Sequence, residues 1–183
     1  RERAEQLAFI FDTTQVEVDR RQARSVDRGG NEFTFAPLVA CFRASQPPRD
    51  LAWTFTVVNV RVDLSRAAAE VAKLPQLMQR VAADGRGEDD VILAGLLQAD
   101  DAYLGPTFGE DFWLAVRHRT TDIYDRYQTG NLVVHSPSTT EAIGRGGVFN
   151  FPLHYKLNES QAEAITSHLP LYADFAAHEG GDF

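Results

Sequence analysis

The chain has 183 residues, 44% of them hydrophobic and 24% charged, which excludes an intrinsically disordered polymer and suits one domain that buries roughly 70% of its unfolded surface. A net charge of −8 disfavours binding nucleic acid by counterion release, which calls for a basic face. Cys41 is the single cysteine, so internal disulfides, thiolate zinc clusters and CxxC redox pairs are excluded, and a reducing compartment is the simpler home.

Taken in chain order, residues 1–11 read as a short helix or the end of a longer one. From Thr13 to Gly30 the chain is arginine-rich, with Arg20, Arg21, Arg24 and Arg28 at helical spacing and Asp27 to Gly30 as a turn signal. Residues 32–44 are aromatic and apolar with a short period and predict a strand, with Pro37 at an edge or bulge. Residues 51–64 predict the firmest strand. Trp53, Phe55 and Val57 point one way and Val58, Val60 and Val62 the other, so both faces are apolar and the strand is central. The two segments form an antiparallel hairpin.

Ser65 is a good N-cap for a helix that Pro75 ends or kinks, and residues 76–84 continue as a second helix up to the Gly85-Arg86-Gly87 breaker. The run 91–99, VILAGLLQA, reads as a buried helix because it is apolar nearly all round. Residues 103–109 read as a loop, 111–129 as a helix, with a strand over 112–119 as the alternative, and 131–135 as a short strand. Ser138 to Glu141 match a capping box opening a short helix, and the Gly144-Arg145-Gly146-Gly147 run reads as the turn after it. Residues 148–157 alternate, with Phe149, Phe151, Leu153, Tyr155 and Leu157 on one face, and predict an edge strand because of Pro152. Asn158 with Gln161 opens a final helix that Pro170 breaks, and the stretch after it adds a further helical turn or two.

The expected architecture is α+β: a single domain, 1–183, with 1–30 an N-terminal arm or helix. An antiparallel sheet is built on the 32–44/51–64 hairpin with an edge strand at 148–157, packed against several short helices.

No nucleophile elbow, HExxH helix or P-loop occurs in the sequence. Cys41 in a strand reads as a small buried hydrophobe. The nearest thing to a metal set is His118, Asp122 and Asp125, which on a helix fall at i, i+4 and i+7 and would share one face, an imidazole with two carboxylates. Arg117, Arg119 and Arg126 around them favour a salt-bridged surface face. Arginine supplies 16 of the 18 basic residues and the chain carries twelve Phe, five Tyr and two Trp, a composition enriched at protein interfaces. The chain opens on Arg1, as a processed piece of a longer polypeptide would.

The leading expectation is therefore a non-enzymatic structural or self-assembly subunit, coat-like, needing no cofactor, working as a homo-oligomer or in a larger assembly in the cytoplasm or a virus-like particle. Arg20, Arg21, Arg24, Arg28, Trp113, Tyr124 and Tyr127 are its interface candidates. The alternative is a small α+β enzyme or ligand-binding domain, its pocket between the 51–64 strand and the 91–99 helix and its reactive cluster at His118. A third reading, a nucleic-acid binder using the N-terminal arginines, runs against the net charge. No run is long enough to cross a bilayer, and no signal peptide is visible.

Overall fold

The computed structural model describes residues 7–26 and 32–181. Nine strands and five helices are placed among them: β1 Val16–Val18, β2 Arg24–Ser25, β3 Leu38–Ala44, β4 Thr54–Arg61, α1 Ala67–Val71, α2 Leu74–Ala82, β5 Val91–Leu96, α3 Asp101–Phe108, β6 Phe112–Leu114, β7 Gly130–His135, β8 Ala142–Val148, α4 Phe151–Tyr155, α5 Glu159–Glu163 and β9 Leu171–Phe175. The main sheet runs β1-β3-β4-β5-β7-β6, with β2 also on β3, and β8 pairs with β9 in a second, two-stranded sheet.

The 32–44/51–64 hairpin forms as β3 and β4, antiparallel, with Phe42 opposite Phe55 and Val39 opposite Val58. β4 is central as expected, but its other neighbour is β5, and that pair is parallel, with Val60 beside Gly95. The segment read as a buried helix at 91–99 is thus a strand. A parallel strand covered on both faces is a continuous apolar run, and periodicity cannot separate that from a buried helix over so few residues.

Alternation along the strands builds two cores. On one face Val39, Val58, Val60, Leu93 and Val133 meet α1, α2 and α3, and α2 presents Leu74, Leu77, Met78 and Val81 at helical spacing. Leu74, Leu77, Leu93, Leu97 and Leu104 are fully or almost fully buried here, each contributing about 1.5–3 kcal/mol. Pro75 lies in the first turn of α2, where no intrahelical donor is needed. On the opposite face Ala44, Trp53, Ile92 and Val134 pack with Ala142 of β8 and Phe175 of β9. Trp53 stacks between Phe55 and Phe175, at 4.1 and 4.9 Å between ring centroids. Residues 1–6 of the expected N-terminal helix lie outside the described residues, 7–11 form neither helix nor strand, and Phe9 and Phe11 meet Phe42 edge-on.

α+β holds at the level of one multi-stranded sheet with several short helices. Its details differ from expectation. The arginine-rich segment makes β1, a turn and β2 in place of a helix. The edge strand expected at 148–157 is absent: Asn150 accepts a hydrogen bond from Leu153 N (3.0 Å) and caps α4, with Pro152 in its first turn, and Lys156 ends it in the left-handed region. The strand lies earlier, in β8, where the glycines read as a turn are needed for close approach. A Cβ on Gly146 would lie 2.7 Å from the Ala115 Cβ. No helix forms at 138–144, and Thr139 and Glu141 are buried there instead. The loop expected at 103–109 belongs to α3, capped by Asp100 accepting from Tyr103 N at 2.9 Å. The residues after Pro170 form β9. The Asn158/Gln161 capping box opens α5 as read, and β7 covers the 131–135 strand. Among the described residues no helix is long and apolar enough to cross a membrane.

Candidate functional site

Because β4 and β5 are parallel, their carboxyl ends lie side by side, the position where open α/β sheets bind ligands. A cavity of about 350 Å³ opens there, lined by Asn59, Arg61, Thr121, Asn131 and His168 over a floor that includes Leu96, Leu132 and Leu171. Strand alternation sets the first two: Val58 and Val60 face the helices, so Asn59 and Arg61 take the other face. Asn59 donates from Nδ2 to Ala8 O at 3.2 Å. The Arg61 guanidinium lies 5.0 Å from the centre of the Phe35 ring, a cation–π contact that positions it.

The remaining wall is a loop folded back by its own polar side chains. Asn131, fully buried, accepts from Val116 N at 3.0 Å and donates to Val116 O at 2.8 Å. The Thr121 hydroxyl accepts from Thr129 N and Gly130 N at 2.8 and 3.1 Å. Leu169 N donates to Thr121 O and Ile123 N to Ser167 O, and Asp122 bridges to His168 across an isolated β-pairing. His168 is therefore tied by backbone on both sides, with its Nδ1 3.5 Å from Thr129 Oγ1. Among the described residues Arg61 and His168 are the only ionisable ones lining the cavity, and no described carboxylate lines it.

His118, Asp122 and Asp125 lie in the loop after β6, not on a helix, so the expected i, i+4, i+7 face does not exist. All three do line one groove of about 890 Å³ together with Arg117, Arg119 and Trp113. Asp122 is committed to the backbone: it accepts from Tyr124 N, Arg126 N and Tyr127 N at 2.9, 3.0 and 2.7 Å, which supplies the hydrogen bonds a helix would have made. Asp125 accepts from the Thr120 hydroxyl, and His118, largely exposed, places Nδ1 3.3 Å from Asp101.

Trp113 packs into the second core, Tyr124 donates to Glu163 at 2.8 Å, and Tyr127 is exposed. Arg20 and Arg21 are exposed in the β1–β2 turn, Arg24 pairs with Asp84 at 2.6 Å, and Arg28 lies outside the described residues. The pocket expected between the 51–64 strand and a helix at 91–99 lies instead at the shared end of two strands. Sequence reading missed Asn59, Arg61, Thr121 and His168. The available signal was the two polar residues ending one face of an otherwise apolar central strand.

At the other end of the sheet, Asp90 precedes β5 and is 3% exposed. Burial pushes its carboxyl up to about 7; the neighbouring Thr139 hydroxyl and the Trp53 N–H oppose this, and the charges of Glu141 and Glu88 add to it.

No family model and no curated protein matches the chain. Solved structures do match in shape. A functionally unknown conserved protein from Enterococcus faecalis superposes with a TM-score of 0.60 at 13% identity, over 91% of this chain and 69% of the other. An endonuclease/exonuclease/phosphatase from Bacteroides vulgatus gives 0.55 at 13%, over 91% and 68%. The fold is that of the endonuclease/exonuclease/phosphatase proteins. The human Nocturnin catalytic domain, with bound sulfate, has the same fold, at a TM-score of 0.52 and 12% identity over 92% of this chain. The present chain spans 62% of that domain's length. This likeness runs against the expectation of a non-enzymatic, capsid-like assembly subunit: the fold is shared with solved enzymes, and it favours the enzyme alternative over that reading.

Proposed function

We propose that the protein is a nuclease- or phosphatase-like enzyme that takes a phosphoester in the cavity at the carboxyl ends of β4 and β5. The observation carrying this reading is that, among the described residues, Arg61 and His168, on segments far apart in sequence, are the two ionisable groups lining one cavity. Such a wall attracts an anion. A guanidinium presents a planar fork that matches two phosphate oxygens, and an amide such as Asn59 adds a directed donor. An imidazole held by its neighbours is suited to exchange a proton with an attacking water or a leaving oxygen. The apolar floor keeps the local dielectric low, where fixed donors act most strongly on developing charge. The sulfate held by the Nocturnin domain is a tetrahedral anion of the same shape as the phosphate proposed here.

Phosphoester cleavage is often assisted by divalent metal ions, which take oxygen ligands and usually carboxylates. The described walls of this cavity do not fit such an ion, so its chemistry is derived from Arg61, His168 and Asn59 alone.

The test is binding of inorganic phosphate and a mononucleotide, by calorimetry, together with hydrolysis of bis(p-nitrophenyl) phosphate. Arg61→Ala is expected to weaken anion binding roughly 10- to 100-fold, the value of a hydrogen bond to a charged group. His168→Ala is expected to lower turnover more than binding. Unchanged affinity in Arg61→Ala, with binding lost instead in Arg117→Ala or Arg119→Ala, would move the site to the larger groove and refute this placement.

A further inference from the structure

Three carboxylates from widely separated segments meet at the end of the sheet remote from the cavity: Asp90 before β5, Glu141 before β8 and Glu179 after β9. One oxygen of each lies within 4.8 Å of the others. Asp90 and Glu141 are 3% and 1% exposed. Each acid is held through one oxygen. Trp53 Nε1 donates to Asp90 Oδ2 at 2.8 Å, Gly180 N to Glu141 Oε1 at 2.6 Å, and Thr54 N to Glu179 Oε2 at 3.3 Å. The second oxygens of the two buried acids, Asp90 Oδ1 and Glu141 Oε2, are buried without a hydrogen-bond partner, as is the hydroxyl of Thr139, also 1% exposed. Among the described residues no arginine, lysine or histidine forms an ion pair with any of the three.

Buried carboxylates without counter-charge are costly, and nearly all buried polar atoms find a partner. Here the two buried acids of one cluster each keep an unpartnered oxygen, and each of the three acids is fixed by an outer hydrogen bond in the way metal ligands are fixed. We propose that Asp90, Glu141 and Glu179, with the Thr139 hydroxyl, form a binding site for a hard divalent cation, Ca²⁺ in particular. All the donors are oxygen, which selects against zinc and copper. Ca²⁺ accepts irregular oxygen sets contributed by loops, whereas Mg²⁺ keeps several waters, for which a site with two buried ligands has little room. The ion would tie the β8–β9 layer to the main sheet, since its ligands come from both. This reinforces existing backbone bonds in the same place, Ala176 N to Glu141 O at 2.8 Å and Trp53 N to Ala177 O at 3.0 Å.

The experiment uses chelator-treated protein titrated with Tb³⁺, whose emission Trp53 would sensitise from beside Asp90, and thermal unfolding with CaCl₂ or MgCl₂. Saturable Tb³⁺ emission displaced by Ca²⁺ is expected, with a rise in Tm of about 5–10 °C at a hundredfold excess over Kd and a smaller response to Mg²⁺. Glu141→Gln and Glu179→Gln should each weaken Tb³⁺ affinity at least about tenfold. Glu179 is exposed, so its variant decides the matter if the Glu141 variant misfolds. Absence of sensitised emission, a response unchanged in both variants, or a stability that follows pH and ignores millimolar Ca²⁺ would each overturn the proposal. None of these readouts depends on the phosphoester cavity.

Discussion

Gly95 sits in β5 at the rim of the cavity proposed to take a phosphoester, and replacing it with alanine tests whether the parallel β4–β5 pair builds that site. Its φ is +148°, and a Cβ there would lie 1.9 Å from Val60 O, 2.9 Å from Val60 C and 3.1 Å from Val60 N. The obstructing atoms are backbone, so no side-chain rotation relieves the clash. Reaching ordinary van der Waals separation requires a shift of about 1.5 Å, a third of the normal distance between paired strands. The conformation itself costs on the order of 1–3 kcal/mol for a residue with a Cβ, and opening the ladder forfeits about two hydrogen bonds of ~1 kcal/mol each. The sum is about 3–5 kcal/mol, a large share of a domain's stability, and a fall in Tm of about 6–20 °C. Urea denaturation followed by circular dichroism measures it. Gly87→Ala is the control: φ is +77° but nothing lies within 4 Å, so only the conformational cost of about 1 kcal/mol applies. Equal losses in the two variants would refute the strand-contact reasoning and with it the parallel pairing as placed.

Glu70 is completely buried. It accepts from Thr34 N, Thr34 Oγ1 and Asp63 N at 2.8, 2.7 and 3.0 Å, with Arg66 3.5 Å away. Glu70→Ala strands two backbone donors and should cost about 3–5 kcal/mol in urea denaturation; a loss below about 1 kcal/mol would mean water replaces the carboxylate. Burial raises the Asp84 carboxyl, but hydrogen bonds from Arg86 and Arg24 outweigh it and the net displacement is downward. A depressed folded value stabilises above the unfolded value of about 3.9 and is lost as pH falls through the folded one. Asp84→Asn should therefore flatten the acid limb of the stability curve below about pH 4, and an unchanged limb would place the acid sensitivity elsewhere. Asn158→Ala removes the reciprocal cap of α5 and should cost about 1 kcal/mol, with hydrogen exchange speeding up around 159–163 and not in the main sheet.

Sequence alone settled those elements whose information is local. The β3–β4 hairpin was legible because β-branched and aromatic residues alternate with period two in both strands, and the centrality of β4 because both its faces are apolar. Asn158 and Gln161 announced α5 because a capping box is completed within four residues. The same local logic failed where burial replaced periodicity. The 91–96 run is apolar on every side in a strand between helices and a second sheet just as it would be in a buried helix. The 148–157 alternation came from Phe149 and Phe151 lying on either side of the α4 cap, not from a pleat. The helix expected at 111–129 lost to a turn that Asp122 completes with its carboxylate.

The residues of both proposed sites depended wholly on tertiary structure. Arg61 and His168 are over a hundred positions apart, and no spacing rule joins them; the parallel registration of β4 with β5 and the backbone ties of the 121–131 loop bring them to one cavity. Asp90, Glu141 and Glu179 are likewise three unrelated acids in the sequence, each readable as a solvated charge. Charge and cysteine content were read directly from the chain because they add residue by residue. The site could not be, because its chemistry arises from groups that become neighbours only when the sheet closes over its two cores.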